Sequence, residues 1–415
     1  MKNIKLNKLE KYWILYDVGN SAFVLLVATI IPIYFNSLAE NAGLSSVDYL
    51  AFWGYAASAA TIIVALIGPV LGTIADTQGF KKPLFAASMV VGVIGCAVLS
   101  FPDSWLLFLI VFVIAKIGYN ASLIFYDSML VDITSPERMD TVSSHGYAWG
   151  YLGSCIPFII SLALVLFGGQ LGLSVHLAMT LAFLLNAAWW LVVTLPLLHA
   201  YRQENYVSLP ARPIRSSFTR LAATLRDIRR QKHIFLFLLS FFFFIDGVYT
   251  IIDMATAYGS ALGFDTQGLL LALLVTQLVA FPCALIFSRL SKIYEASRLL
   301  RICIIAYIGI ALFAIQLDKQ WEFWLLAILV GMFQGAIQAL SRSYFAKIIP
   351  SEKSGEYFGI YDIFGKGASF MGATLVGVIA QATGTPHAGV AVLAILFVIG
   401  FIIFCMADRL NRQEA

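Results

Sequence analysis

The Lys and Arg residues of this 415-residue chain alternate along its length in a way that few folds can accommodate. Apolar stretches occupy most of the sequence, with approximate limits 12–38, 48–75, 83–100, 104–132, 142–168, 174–198, 233–257, 267–288, 299–317, 321–349, 357–383 and 387–407. Of 27 basic residues, all but Lys116, Lys319 and Lys366 lie in or close to the termini and the connections after spans two, four, six, eight and ten. The other connections carry acids such as Glu40, Asp103, Asp265 and Asp318, with Trp53, Trp105, Trp321 and Trp324 near the same boundary. Soluble domains have no reason to segregate charge so; a multi-span membrane protein does, because basic loops stay cytoplasmic. Each stretch exceeds or approaches the ~20 residues that ~30 Å of hydrocarbon requires.

Composition agrees, with 60% hydrophobic residues and a mean hydropathy of +0.86. The net charge of +4 sits in the loops, where it orients the chain and meets anionic lipid; it is no sign of nucleic-acid binding. Cys96, Cys155, Cys283, Cys303 and Cys405 fall in apolar segments without CxxC spacing, so neither disulfides nor a metal site are expected. The basic segment before residue 12 leads into an apolar stretch too long for a signal peptide, so both termini are expected in the cytoplasm. His145, His176, His199, His233 and His387 are scattered near span ends. No nucleophile set, HExxH or phosphate loop accompanies them, so neither an enzyme nor a cofactor is expected.

One connection differs from the rest. Residues 200–232 carry eight basic residues, two acids, Pro210 and Pro213, and divide the chain into a first bundle (1–198), a linker (199–232) and a second bundle (233–415). Between Ser217 and His233, Phe218, Leu221, Leu225 and Ile228 recur at helical spacing among arginines, which predicts an amphipathic helix resting on the membrane surface. Six spans, a long linker and six more resemble the plan of the major facilitator transporters, all-α membrane proteins of two six-helix bundles. That resemblance implies a solute site near the midplane between the bundles. The loop after span two supports it: Gly72, Asp76, Gly79, Lys81 and Lys82 match that superfamily's loop signature, with Thr77 and Phe80 at two positions usually basic. Gly72 permits close helix approach, Gly79 a tight turn, and Asp76 suits the positive end of a helix near Tyr357. The equivalent second-half segment, from Phe287 to Lys292, lacks the glycines and aspartate.

Further motifs are similar to the vacuole-effluxer-like branch, whose eukaryotic members release amino acids from the vacuole. They are Tyr16-Asp17-Val18-Gly19-Asn20-Ser21-Ala22-Phe23, Asp246-Gly247-Val248, Ser341-Arg342-Ser343, and Tyr361-Asp362 with Gly365-Lys366. The chain departs from the branch in having Asp127 and Asp362 where asparagines are usual, and in Lys116.

Ionisable groups within a bilayer cost ~2.5–3.5 kcal/mol even on lenient scales and demand a role. In this superfamily spans one, four, seven and ten line the cavity, and each has a polar face here. Asp17 and Asn20 mark span one; Lys116, Asn120 and Asp127 span four; Asp246, Tyr249 and Asp253 span seven; Gln334, Gln338 and Arg342 span ten. Lys116 and Asp246 both lie near mid-membrane and are expected to face one pocket, with Tyr119 and Tyr249 beside them. Asp362 and Lys366, four apart on one helix, are spaced to pair. Arg342 joins the loop residues as a gating group.

The sequence therefore leads to a secondary transporter, coupled to protons, that moves a small polar or zwitterionic solute resembling an amino acid. An exporter of amphiphiles, drugs or lysolipids is the alternative, suited to segments such as Phe241–Phe244. Solute, protons and lipid are its expected partners, as a monomer in a bacterial inner membrane.

Overall fold

The computed structural model describes residues 5–44, 46–208 and 213–414, most of them helical. The first span is two helices, α1 (Lys8–Ala28) and α2 (Ile30–Asn41). Pro32 accounts for the break: it offers no N–H to the carbonyl of Ala28, and its ring crowds that carbonyl. A capping box starts α1, with Asn7 Oδ1 accepting from Glu10 N–H and Glu10 Oε2 from Asn7 N–H, both at 2.7 Å. The first half continues with α3 (Ser46–Ala75), α4 (Lys81–Val98), α5 (Trp105–Ser128), the short α6 (Leu130–Ile133), α7 (Met139–Phe167) and α8 (Val175–Ala200). After the linker helix α9 (Pro213–Arg230), the second half holds α10 (Lys232–Ala261), α11 (Thr266–Leu290) and α12 (Ala296–Ala314). It ends with α13 (Gln320–Ile348), α14 (Ser354–Thr383) and α15 (Pro386–Glu414).

Among the described residues, 11 segments are long and apolar enough to cross a membrane. The twelfth span is α14, whose apolar stretch among the described residues covers Met371–Thr383. The chain is an all-α integral membrane protein of two six-span bundles, and the bundles repeat one packing scheme. In the first, α1 packs on α7 and α8, and α4 on α5 and α8. In the second, α10 packs on α14 and α15, and α12 on α13 and α15. A polar staple is repeated too. The Tyr34 hydroxyl donates to the carbonyl of Ser100 (3.2 Å) and meets His176 Nδ1 (3.0 Å). The Tyr258 hydroxyl donates to the carbonyl of Ala314 (2.7 Å) and meets His387 Nδ1 (2.9 Å). Two histidines that looked scattered in sequence thus hold equivalent places on the side away from the termini.

The bundles meet through α3 on α14, α7 on α11 and α13, and α5 on α14. The linker corrects one expectation. Its first residues cross the α3–α4 loop, where Val207 N–H donates to Asp76 O (2.8 Å) and Gln78 N–H to Val207 O (3.1 Å). The helix α9 then packs on α3 and α10, with Thr224 and Ile228 buried and Leu225 exposed. Part of its apolar face is covered by protein instead of lipid, because the loop motif beneath it offers Thr77 as a partner for Arg220 (3.5 Å). Phe218 lies outside the residues whose side chains are described.

Candidate functional site: a closed gate and the path behind it

On the side bearing the termini, α3 and α14 cross almost backbone to backbone. A Cβ on Gly72 would stand 2.1 Å from Gly355 O, and one on Gly359 would stand 2.9 Å from Gly68 O. Each helix presents two glycines four residues apart, the spacing that permits such an approach. The crossing brings Asp76 to the first turn of α14, whose N–H groups have no partner within the helix. Asp76 Oδ1 accepts from Gly355 N–H (2.7 Å) and Oδ2 from Glu356 N–H (2.8 Å). Gly79, at φ +81°, turns the chain back so that Lys81 reaches the same spot. Lys81 Nζ donates to Ser354 Oγ (2.9 Å) and lies 3.6 Å from Asp76 and 3.7 Å from Asp132, all side chains fully buried. Lys82 instead crowns the end of α8, donating to Tyr201 O (3.3 Å). Burial pushes the Asp76 carboxyl up to about 7, while Lys81 and the two N–H groups pull it back part of the way.

A second bolt centres on Arg342 of α13. Its guanidinium donates to Asp127 Oδ1 (2.9 Å), Asp17 Oδ2 (3.4 Å) and Ser143 Oγ (2.9 Å). Its carbon lies 4.6 Å from the ring centres of Trp13 and Tyr147 and 5.5 Å from that of Tyr126. Asn20 buttresses Asp17 from the next turn of α1 (3.5 Å). Two more contacts join the bundles nearby: Lys347 to Asp140 (2.6 Å), and His145 Nδ1 to Ser288 Oγ (3.0 Å). The latter stands where the second half has lost the loop motif. Beneath lies a polar depression of about 920 Å³, bordered by Glu10, Arg138 and Lys347.

Behind these bolts lies a layer of hydroxyls and amides from both bundles. Gln338 Nε2 donates to Tyr151 OH (3.2 Å), and the neighbouring Gln334 is buried. Tyr249 is within electrostatic reach of Asp127, Asp362 and Asp253, and Tyr119 within reach of Tyr249. Asn120 is buried on the same helix.

Lys116 and Asp246 do not share a pocket. Asp246 is fully buried in its own bundle, where Oδ1 accepts from Gly372 N–H of α14 (2.9 Å) and from Thr250 Oγ1 (3.5 Å). Its Oδ2 has no hydrogen-bond partner among the described residues. The cause is local: Gly372 has no side chain, and a Cβ there would stand 2.6 Å from Oδ1. Lys116 lies over the Phe112 ring, 5.7 Å away, and its charge is felt across the bundles by Asp253. Asp253 lies two turns beyond Asp246 on nearly the same face, and it is exposed. Across the bundles, Lys116 is thus within electrostatic reach of Asp253. The pairing of Asp362 with Lys366 falls on a side chain, Lys366, outside the described residues.

Sequence reasoning missed Trp13, Tyr147, Asp132 and the Lys347–Asp140 contact. Trp13 and Asp17, and likewise Ser143 and Tyr147, are four apart and share a face, which is the one local signal available. Asp132 offers none: its other partners, Tyr201 OH (2.5 Å) and Asn205 N–H (2.8 Å), come from the linker.

The family profile described as "Vacuole effluxer Atg22 like" matches residues 7–137 and 132–414. The chain is 43% identical to the MFS-type transporter YxiO of Bacillus subtilis (strain 168), over 98% of this chain and 96% of that one. It is 27% identical to autophagy-related protein 22-1 of Penicillium rubens over 66% of this chain; the match spans 50% of that longer protein. Among solved structures, the human organic anion transporter MFSD10 (TETRAN) superposes with a TM-score of 0.70 at 17% identity, covering 96% of this chain and 99% of that one.

Proposed function

The chain belongs to the vacuole effluxer Atg22-like family, within the major facilitator transporters, and from that premise we propose that it moves a small polar or zwitterionic solute, resembling an amino acid, by alternating access coupled to protons. The observation that carries this reading is the asymmetry of closure. Among the described residues, the Asp76 latch, the Arg342 bolt and the Lys347–Asp140 pair fasten the bundles at one end only. Beyond them, polar groups from both bundles face each other, and Asp253 is exposed. Such an arrangement is one of the two states that a rocking pair of bundles requires. The fastened end is taken as cytoplasmic, in keeping with its basic loops, in a bacterial inner membrane.

Asp246 is the group assigned to the proton. No basic side chain reaches it among the described residues, and an unpaired carboxylate buried in a membrane is costly unless protonated. Its bond to α14, a helix of the closure, ties its protonation to the position of that helix. Uptake into proteoliposomes with and without an imposed pH gradient tests the reading. Gradient-driven accumulation of amino acids is expected from the wild type, and Asp246→Asn is expected to abolish it while remaining folded. Unchanged accumulation by that variant would remove Asp246 from the coupling.

One observation favours a second reading, export of amphiphiles. A cavity of about 210 Å³ opens between α10, α14 and α15, lined by Thr250, Met254, Tyr258, Val376 and Val390. Movement of a dye or lysolipid in the same vesicles, with no amino-acid flux, would select it.

A further inference from the structure

The groups that enclose the Arg342 guanidinium all come from the first bundle, whereas Arg342 itself belongs to the second. Trp13 and Asp17 stand on α1, Tyr126 and Asp127 on α5, Ser143 and Tyr147 on α7. Two of the walls, Trp13 and Tyr126, are held by contacts that do not involve Arg342. The Trp13 indole N–H donates to Tyr126 O (3.0 Å), and the two rings stack at 4.3 Å between centroids. Tyr126 also leans on Tyr16, at 4.5 Å. Space for the guest is kept by Gly146, where a Cβ would stand 2.3 Å from Asp17 Oδ2 and 3.1 Å from Arg342 Nη2. First-bundle packing thus shapes a cage of two carboxylates and three π faces that receives a planar cation.

We propose that this cage is a binding site for the cationic group of the solute, and that Arg342 is its tethered competitor. The inference rests on the alternating-access reading and narrows its solute to one bearing an unsubstituted guanidinium or primary ammonium group. When the bundles part on the termini side, Arg342 leaves with the second bundle. Two neighbouring carboxylates then face the opening without a counter-charge, which is unfavourable in a poorly solvated site. A guanidinium or ammonium group restores the charge balance, the forked hydrogen bonds and the cation–π contacts that Arg342 had supplied. A neutral group can donate hydrogen bonds but restores neither the charge balance nor the cation–π contacts, and an anionic group adds to the repulsion. On closure Arg342 returns to the same place and displaces the solute group, so the closed state and the loaded cage exclude each other.

The test uses the full chain, with Arg342→Ala to empty the cage, ethylguanidinium as probe and ethylurea as its neutral isostere. Ethylguanidinium is expected to raise the Tm of Arg342→Ala at concentrations about tenfold below those at which ethylurea acts. Adding Asp17→Asn is expected to erase that preference. A second arm needs no variant: in wild-type proteoliposomes, ethylguanidinium on the termini side is expected to inhibit solute exchange competitively, and ethylurea is not. A wild type that moves no solute at all would strike at the transport reading, while the Tm arm still decides the cage. Equal responses to the two probes, or a preference that survives Asp17→Asn, would overturn the proposal.

Discussion

Gly72 and Asp76 sit one turn apart, and each controls the closed end by a different force. At Gly72 the force is contact. A side chain there would meet the backbone of Gly355, which cannot step aside as a flexible side chain can. Gly72→Val is therefore expected to hold the termini side open and stop turnover while the bundles stay folded; retained transport would show that this crossing is not needed. At Asp76 the force is charge. The carboxyl rises from the ordinary 3.8 to about 7 when buried in the latch. Opened to water, it returns to the ordinary value. The closed state therefore binds the proton more tightly, so closure is favoured at low pH and weakens as pH rises from about 4 to 7. Asp76→Asn should remove this dependence and slow turnover with little change in solute affinity, read as a change in kcat at constant KM. A selective loss of affinity would argue for a role in binding. At this scale the sequence was informative where chemistry is local. The glycine-aspartate-glycine spacing of the loop placed Asp76 next to a helix start near Tyr357, and its hydrogen bonds fall on Gly355 and Glu356. It was silent where chemistry is remote, because Asp246 and Asp253 share a face and only α14, pressed close through Gly372, separates their surroundings.

Helices carry the next level. Most of their limits follow the apolar stretches to within a few residues; α15 runs seven residues past its stretch, and Pro32 divides the first stretch into α1 and α2. The duplicated staples show why the histidines resisted reading. Each is joined to a tyrosine more than a hundred residues away, 142 in the first half and 129 in the second. Tyr258→Phe leaves the Ala314 carbonyl without its 2.7 Å donor and is expected to cost about 1 kcal/mol, measured as reduced thermal stability in detergent. Tyr34→Phe should behave alike, given the matching geometry in the first half. A loss confined to one half would separate the two staples. The linker helix was visible as an amphipathic stretch, but periodicity cannot say whether an apolar stripe meets lipid or protein. Arg220 beside Thr77 decides that for part of α9.

At the scale of the whole molecule, charge alternation made the twelve spans and their division into two sixes legible, because orientation in a bilayer is written in loop charge. The state of the molecule was not legible, since closure depends on pairings between bundles such as Arg342 with Asp17 and Lys347 with Asp140. The account's central claim is that these bolts close one end of a path whose two ends open in turn. Distances between paired spin labels test it most directly, with the five native cysteines replaced. One pair, Gln78 and Glu352, reports the termini side, and the other, Asn41 and Asp265, reports the far side; all four are exposed. Solute with a proton gradient is predicted to lengthen the first distance and shorten the second in one population. Two distances that stay fixed, or that lengthen together, would contradict alternating access in this chain.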